Sequence, residues 1–342
     1  MGSELQDAVD AVFARPGEQG ISLALLVLVG GEVVAERYGR QPANAFQDAL
    51  DVGTDTTLIS WSTAKSMVHA AVGLLVADGR LDPAAPAPVP EWAGTPKAAI
   101  RLIDLLEMRP GLRFVEDYVD GEVSDCLEML YGAASADMAA YAAGLPFDHA
   151  PGTVWNYSSG TTNIVCRIVG DVVNGGPGGT PAGRRAAMEE FLHGRLFGPL
   201  GMTTAAPKFD DAGTWVGSSY VYATARDFAK FGELYRNDGV LPDGTGVLPP
   251  GWADHARTFA AHDAGDGLLP NGVDYGRHWW MWPEYPGCVV AQGYEGQYVA
   301  VVPDRQLTLV HLGKTAADQR HHLVRLLYRV VDAVAVVPDA SA

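Results

Sequence analysis

Apolar residues recur along this chain in two periods. Leu5, Val9 and Val12 or Phe13 fall on one side of a helix, which predicts a helix over 4–15. Ile21 to Val29 is apolar at almost every position and reads as a buried strand. Gly30-Gly31 then makes a turn, and 32–38 returns as the second arm of a hairpin. Thr57-Leu58-Ile59 is a short extended approach to a helix that carries Met67, Val68, Ala71, Val72 and Leu75 on its apolar face and stops at Asp78-Gly79.

From 81 to 205 the pattern changes. Pro83, Pro86, Pro88 and Pro90 make a stiff connector. Helical spacing follows over 97–108, 123–131, 135–143, 161–172 and 183–197, with a glycine-rich loop at 174–179. After about 214 an amphipathic helix covers 225–234. Three consecutive strands are expected at 288–292, 297–302 and 307–312, and a last helix over 316–335 turns Leu323, Leu326, Leu327, Val330 and Val331 toward a sheet. The expected fold is α/β. Residues 1–80 and 206–342 together form a sheet domain, 81–205 is an inserted, mainly helical domain, and the cleft lies between them.

Composition narrows the function. The 342 residues are 48% hydrophobic, enough for a large core. Forty-one acidic residues against 24 basic give a formal charge of -17. That balance argues against nucleic acid or an anionic membrane as partner. Cys126, Cys166 and Cys288 have neither metal-ligand spacing nor an even count for disulfides, so buried thiols in a reducing compartment are expected. The N-terminal residues lack the basic and apolar regions of a secretory leader, and the expected location is cytoplasmic. Nothing in the sequence sets an oligomeric state.

Candidate chemistry sits at Ser62-Thr63-Ala64-Lys65. A serine at a helix start, with an amine one turn on, can be activated as a nucleophile without histidine. Tyr157, in a tight loop before a new helix, can bring a hydroxyl to the same cleft and relay a proton. Gly293-Tyr294-Glu295-Gly296 joins two late strands. Its glycines let backbone approach a ligand, so the N–H of Tyr294 can join that of Ser62 in holding an oxyanion. The histidines show no metal spacing. Ser60 and Ala64 stand where the glycines of a Gly-x-Ser-x-Gly elbow would be.

Taken together, Ser62-x-x-Lys65, Tyr157-Ser158-Ser159 and the late glycine-rich strand edge resemble the serine β-lactamase and penicillin-binding-protein superfamily, in its class C and esterase-like branch. Further stretches carry the same resemblance: 71–82, 103–112, Phe197-Gly198-Pro199-Leu200-Gly201-Met202 and 217–232. The nearest subgroup in appearance is the 6-aminohexanoate-dimer (nylon-oligomer) hydrolases and their carboxylesterase relatives. The resemblance implies a central antiparallel sheet flanked by helices. It also implies that Tyr118, in Phe114-Val115-Glu116-Asp117-Tyr118, contacts substrate, and that Ser159, Gly293 and Glu295 border it. Glu295 either attracts an amine-bearing substrate or faces solvent. Trp280 and Trp282, which alternation sends to one face, line an apolar acyl pocket or cover the sheet.

The chain departs from the pattern at two places. Gly293-Tyr294-Glu295 replaces the Lys-Thr-Gly or His-Thr-Gly of β-lactamases, removing the basic anchor for a substrate carboxylate, and Ser159 replaces an asparagine. The expectation is therefore a small-molecule ester or linear amide cleaved through a Ser62 acyl-enzyme, with Lys65 and Tyr157 as acid and base and no metal or cofactor. Acyl transfer to an alcohol or amine, a β-lactamase, and a non-catalytic binding protein are the alternatives.

Overall fold

The structure, a computed structural model, describes residues 2–45, 48–117, 123–265, 267, 269 and 271–337. Its frame is an eight-stranded sheet: β1 (Ile21–Val29), β2 (Glu32–Tyr38), β3 (Ala261–Asp263), β4 (Val273–Tyr275), β5 (Trp280–Met281), β6 (Val289–Gly293), β7 (Gln297–Val302) and β8 (Leu307–Lys314). The spatial order is β2-β1-β8-β7-β6-β5-β4-β3, and every pairing is antiparallel. The first hairpin thus forms one edge of the sheet and joins the last strand, β8, through β1. Ile21 pairs with Lys314, and Val29 with Leu307.

Both faces of this sheet are covered, which explains why β1 reads as an unbroken apolar run. Ala24, Leu26 and Leu28 point into one core with Val299, Val301, Val310 and Leu312; Leu25 and Val27 point into the other with Ala300, Val302 and Leu309. Helices α1 (Ser3–Phe13) and α5 (Arg320–Asp332) close the second face through Leu5, Val9, Leu323 and Leu327. On the first face lie α2 (Ala64–Ala77), α3 (Ser159–Val173) and α4 (Ala225–Arg236). Helix α2 is buried on all sides from Ala64 to Leu75, not on one stripe. Gly73 lets it lie against Trp252, whose Nε1 would stand 2.4 Å from any added Cβ.

Among the described residues, 81–205 contains helical segments and isolated bridges but no named strand. Its side chains share one apolar core with α2 and the sheet. The helix expected over 97–108 is two short pieces, Pro96–Ala99 and Leu102–Leu106. Arg101 is extended between them, its N–H bonded to Asp104 Oδ2 at 2.9 Å. The last helix starts at Arg320, after a separate turn at Ala317–Gln319. Strands β3 to β5 were not expected; two or three residues are too short to display alternation. All three cysteines are buried and unbridged. No described helix is long and apolar enough to cross a membrane.

Candidate active site

Ser62 owes its position to a pinned turn. Leu58–Ile59 pairs with Val221–Ala223, and Ser60 N donates to Val221 O at 2.9 Å. The buried Ser60 hydroxyl donates to Ser219 O at 3.1 Å and accepts from Val221 N at 3.0 Å. Trp61 takes a left-handed backbone (φ 44°), and a short turn over Trp61–Thr63 leads into α2.

One turn along α2, Lys65 is 2% exposed. Its Nζ has three partners: Ser62 Oγ, Ser159 Oγ and Ser218 O, each at 2.9 Å. Three polar groups at hydrogen-bond distance leave this buried nitrogen fully partnered. It also stands over the Tyr157 ring, 4.9 Å from the centroid, within cation–π range. Lysine therefore meets the tyrosine through the ring face. The ring itself is set by Trp280 at 5.1 Å and by Tyr275, edge-on, at 5.8 Å.

Ser159 opens α3, with Ser158 capping the helix by accepting from Thr161 N at 2.9 Å. It is buried and acts behind Lys65: its hydroxyl donates to Glu116 Oε1 at 2.6 Å, and its N–H to Glu116 Oε2 at 2.7 Å. A carboxylate at the start of a fifteen-residue helix is favoured by the helix dipole. Burial nonetheless pushes the Glu116 carboxyl above its ordinary range, opposed by the Lys65 charge and the Ser159 hydrogen bonds. Glu116 had no assigned role in the sequence. Only the tertiary contact of its loop with α3 reveals one.

The end of β6 closes the other side of the nucleophile. A Cβ on Gly293 would lie 2.6 Å from Ser60 O and 3.2 Å from Ser62 N, so only glycine lets the strand come this close. Tyr294 follows, 38% exposed and edge-on to Trp61 at 5.8 Å.

Ser62, Glu116, Tyr157, Trp280, Gly293 and Tyr294 all border one cleft of about 830 Å³. A larger depression of about 970 Å³ between the first hairpin and α4 holds none of them, so the chemistry assigns the site to the smaller one. Three expected substrate contacts fall elsewhere; Ser159, buried between Lys65 and Glu116, does not border the cleft. Trp282 packs under α5, edge-on to Tyr328 at 5.0 Å, because it shares the Trp280 face but lies beyond the cleft. Glu295 turns away to accept from Trp61 Nε1 at 3.0 Å and to face Lys314 at 3.7 Å. Tyr118 lies outside the described residues. Among the described residues no group of three or more His, Cys, Asp or Glu side chains could hold a metal ion.

A serine hydroxyl bonded to a buried amine, beside a strand end that closely approaches its own backbone N–H, is equipped for nucleophilic acyl transfer. Comparison with known proteins agrees. The curated 6-aminohexanoate-dimer hydrolase of Paenarthrobacter ureafaciens is 28% identical over 319 residues, covering 89% of this chain and 76% of that protein. A Bacillus anthracis structure described as a candidate 6-aminohexanoate-dimer hydrolase superposes with a TM-score of 0.72 at 20% identity, over 96% of this chain and 81% of that one. A family VIII carboxylesterase structure gives 0.68 at 17% identity, over 96% and 97%. A sequence profile of the family described as Beta-lactamase matches residues 9–331. The chain therefore belongs to the β-lactamase family of serine hydrolases.

Proposed function

We propose that this protein hydrolyses small carboxylic esters or linear amides through an acyl-enzyme on Ser62. The observation that carries the reading is the 2.9 Å contact between Lys65 Nζ and Ser62 Oγ at the border of the cleft. Lys65, in its neutral form, takes the Ser62 proton as Oγ attacks the substrate carbonyl. The N–H groups of Ser62 and Tyr294 hold the oxyanion. Collapse of the tetrahedral intermediate breaks the ester or amide bond, and Tyr157 protonates the departing alkoxide or amine and regains its proton from Lys65. Water gives a proton to the same pair as it attacks the acyl-enzyme; the Oγ–acyl bond breaks, the pair returns that proton to Ser62 Oγ, and the acid leaves.

Gly293-Tyr294-Glu295 in place of a basic motif favours open-chain esters and amides over β-lactams. The curated relative, a hydrolase named for a linear amide dimer, points the same way. A net charge of -17 fits a small-molecule substrate better than a nucleic acid or an anionic membrane, and a cytoplasmic setting suits three thiols outside any disulfide.

The test compares wild type and Ser62→Ala on p-nitrophenyl acyl esters and a linear amide, with intact-mass detection of the acyl-enzyme. Loss of turnover and of the acyl adduct in the variant is expected. Unchanged turnover would sink the assignment. Ester products with added alcohols would show acyl transfer in place of hydrolysis.

A further inference from the structure

Two non-glycine residues beside the nucleophile hold left-handed backbone. Trp61, at φ 44°, immediately precedes Ser62; Glu295, at φ 60°, immediately follows Tyr294. Side chains of this size are disfavoured there, so neither conformation is held by local preference and each needs tertiary support. The two residues support each other. Trp61 Nε1 donates to Glu295 Oε2 at 3.0 Å, and the Lys314 ammonium lies 3.7 Å from the same oxygen. The Glu295 carbonyl accepts from Thr315 N at 2.9 Å, tying this corner to the end of β8.

The residues they flank are Ser62 and Tyr294, whose backbone N–H groups are the oxyanion donors of the proposed reaction. We propose that the Trp61–Glu295 hydrogen bond is a clasp that sets the separation of these two donors. Trp61 and Glu295 are then positioning residues, and this role rests on the acyl-enzyme reading above. The turn that carries Ser62 and the strand end are joined by the backbone contact of Gly293 with Ser60 and Ser62, by the edge contact of the Trp61 and Tyr294 rings, and by this side-chain bond.

A direct substrate contact is the competing role for Glu295. Its side chain instead borders a separate depression with Trp61, Lys208 and Tyr222, and an incoming amine would have to displace Lys314. Oxyanion stabilisation requires both N–H groups to reach one oxygen within about 2.7–3.1 Å, so a small splay between them acts on the transition state more than on ground-state binding.

The experiment measures kcat and KM on p-nitrophenyl acetate for Glu295→Ala, Glu295→Gln, Trp61→Phe and the double variant Glu295→Ala/Trp61→Phe. Labelling of wild-type Ser62 by a fluorophosphonate is scored alongside. Glu295→Ala and Trp61→Phe should each lower kcat about 10- to 100-fold, with KM held within about threefold. Phenylalanine keeps the edge contact with Tyr294 but has no N–H to donate. The double variant should be no worse than the poorer single one. Glutamine keeps an acceptor oxygen and should recover most of the activity. A raised KM at constant kcat would make Glu295 a substrate contact and overturn the clasp. Multiplying losses in the double variant, or glutamine as poor as alanine, would overturn it too. If Trp61→Phe fails to fold, the alanine and glutamine pair at 295 still decides. Absence of wild-type labelling would instead sink the acyl-enzyme reading, and the clasp with it.

Discussion

Helix α2 buries two polar side chains one turn apart, and they lead to different ends. Lys65 has three partners, and one of them, Ser62, is the proposed nucleophile and borders the cleft. His69, on the same side of the helix, bonds Tyr235 Oη at 2.8 Å through Nδ1 and His255 Nδ1 at 2.9 Å through Nε2. Its ring stacks on Trp252 at 4.7 Å. Both groups are buried and fully bonded. None of the His69 cluster borders the serine cleft. Burial and hydrogen bonding therefore do not separate chemistry from structure in this protein. What separates them is whether the bonds end on a nucleophile that substrate can reach.

That contrast can be broken from either side. The largest effect is expected at Gly293. In Gly293→Ala the new methyl would press on Ser60 O and Ser62 N, spreading the strand edge from the nucleophile turn. A fall in kcat of about 100-fold is expected. Steady-state kinetics checks it, with a thermal melt to show that the fold persists. An unchanged kcat would mean that the close approach serves packing alone.

A smaller loss is expected for Glu116→Gln. Glutamine can still bond Ser159 but removes the negative charge behind Lys65. A drop in kcat of roughly tenfold, equivalent to about 1.4 kcal/mol in the barrier, should follow. Equal activity in both proteins would leave the Ser159 and Ser218 contacts as the support of the lysine, with no part for the Glu116 charge.

The histidine side should show its effect in stability, not rate. Burial and the Arg277 charge push His255 down to about 3, and burial with the His255 charge holds His69 well below 6.5. Below pH 6.5 the unfolded chain takes up protons that the folded form refuses, so stability falls as pH drops through that window toward 3. Each such histidine contributes at most about 1.4 kcal/mol per pH unit. Urea unfolding at pH 7 and pH 5 should show a shallower loss for His255→Gln than for wild type, by about 1–2 kcal/mol, with esterase activity at pH 7 unchanged. Identical slopes would remove His255 from the acid response.

The same division governs what the sequence made legible. Runs such as Ile21–Val29 and the spacing of Leu323, Leu327 and Val330 announce their elements because burial imposes a period on them. Ser62 and Lys65 are legible because one helical turn fixes their contact locally. Glu116 is not, since its partner Ser159 is 43 residues away and no spacing rule connects a loop carboxylate to a helix start. Glu295 and Trp282 show the converse. Their positions near the site were readable, but the direction of each side chain depended on partners, Trp61 and Tyr328, that come from distant parts of the chain. The strands between 261 and 281 are silent because they are held by their neighbours in the sheet, not by their own composition.

The pairing of β1 with β8 has a consequence for the birth of the protein. Strand β8 is synthesised long after β1; Ser22 Oγ and His311 Nε2, bonded at 2.9 Å, are 289 residues apart. Gly293 and Tyr294 reach Ser62 through that same late-arriving unit. Closing so long a loop is entropically costly and slow compared with forming α2. A nascent chain on the ribosome can thus carry its serine and lysine side by side and still lack the proposed oxyanion site. On the proposed reaction, competence for chemistry waits for the strands that bring Gly293 and Tyr294 to Ser62.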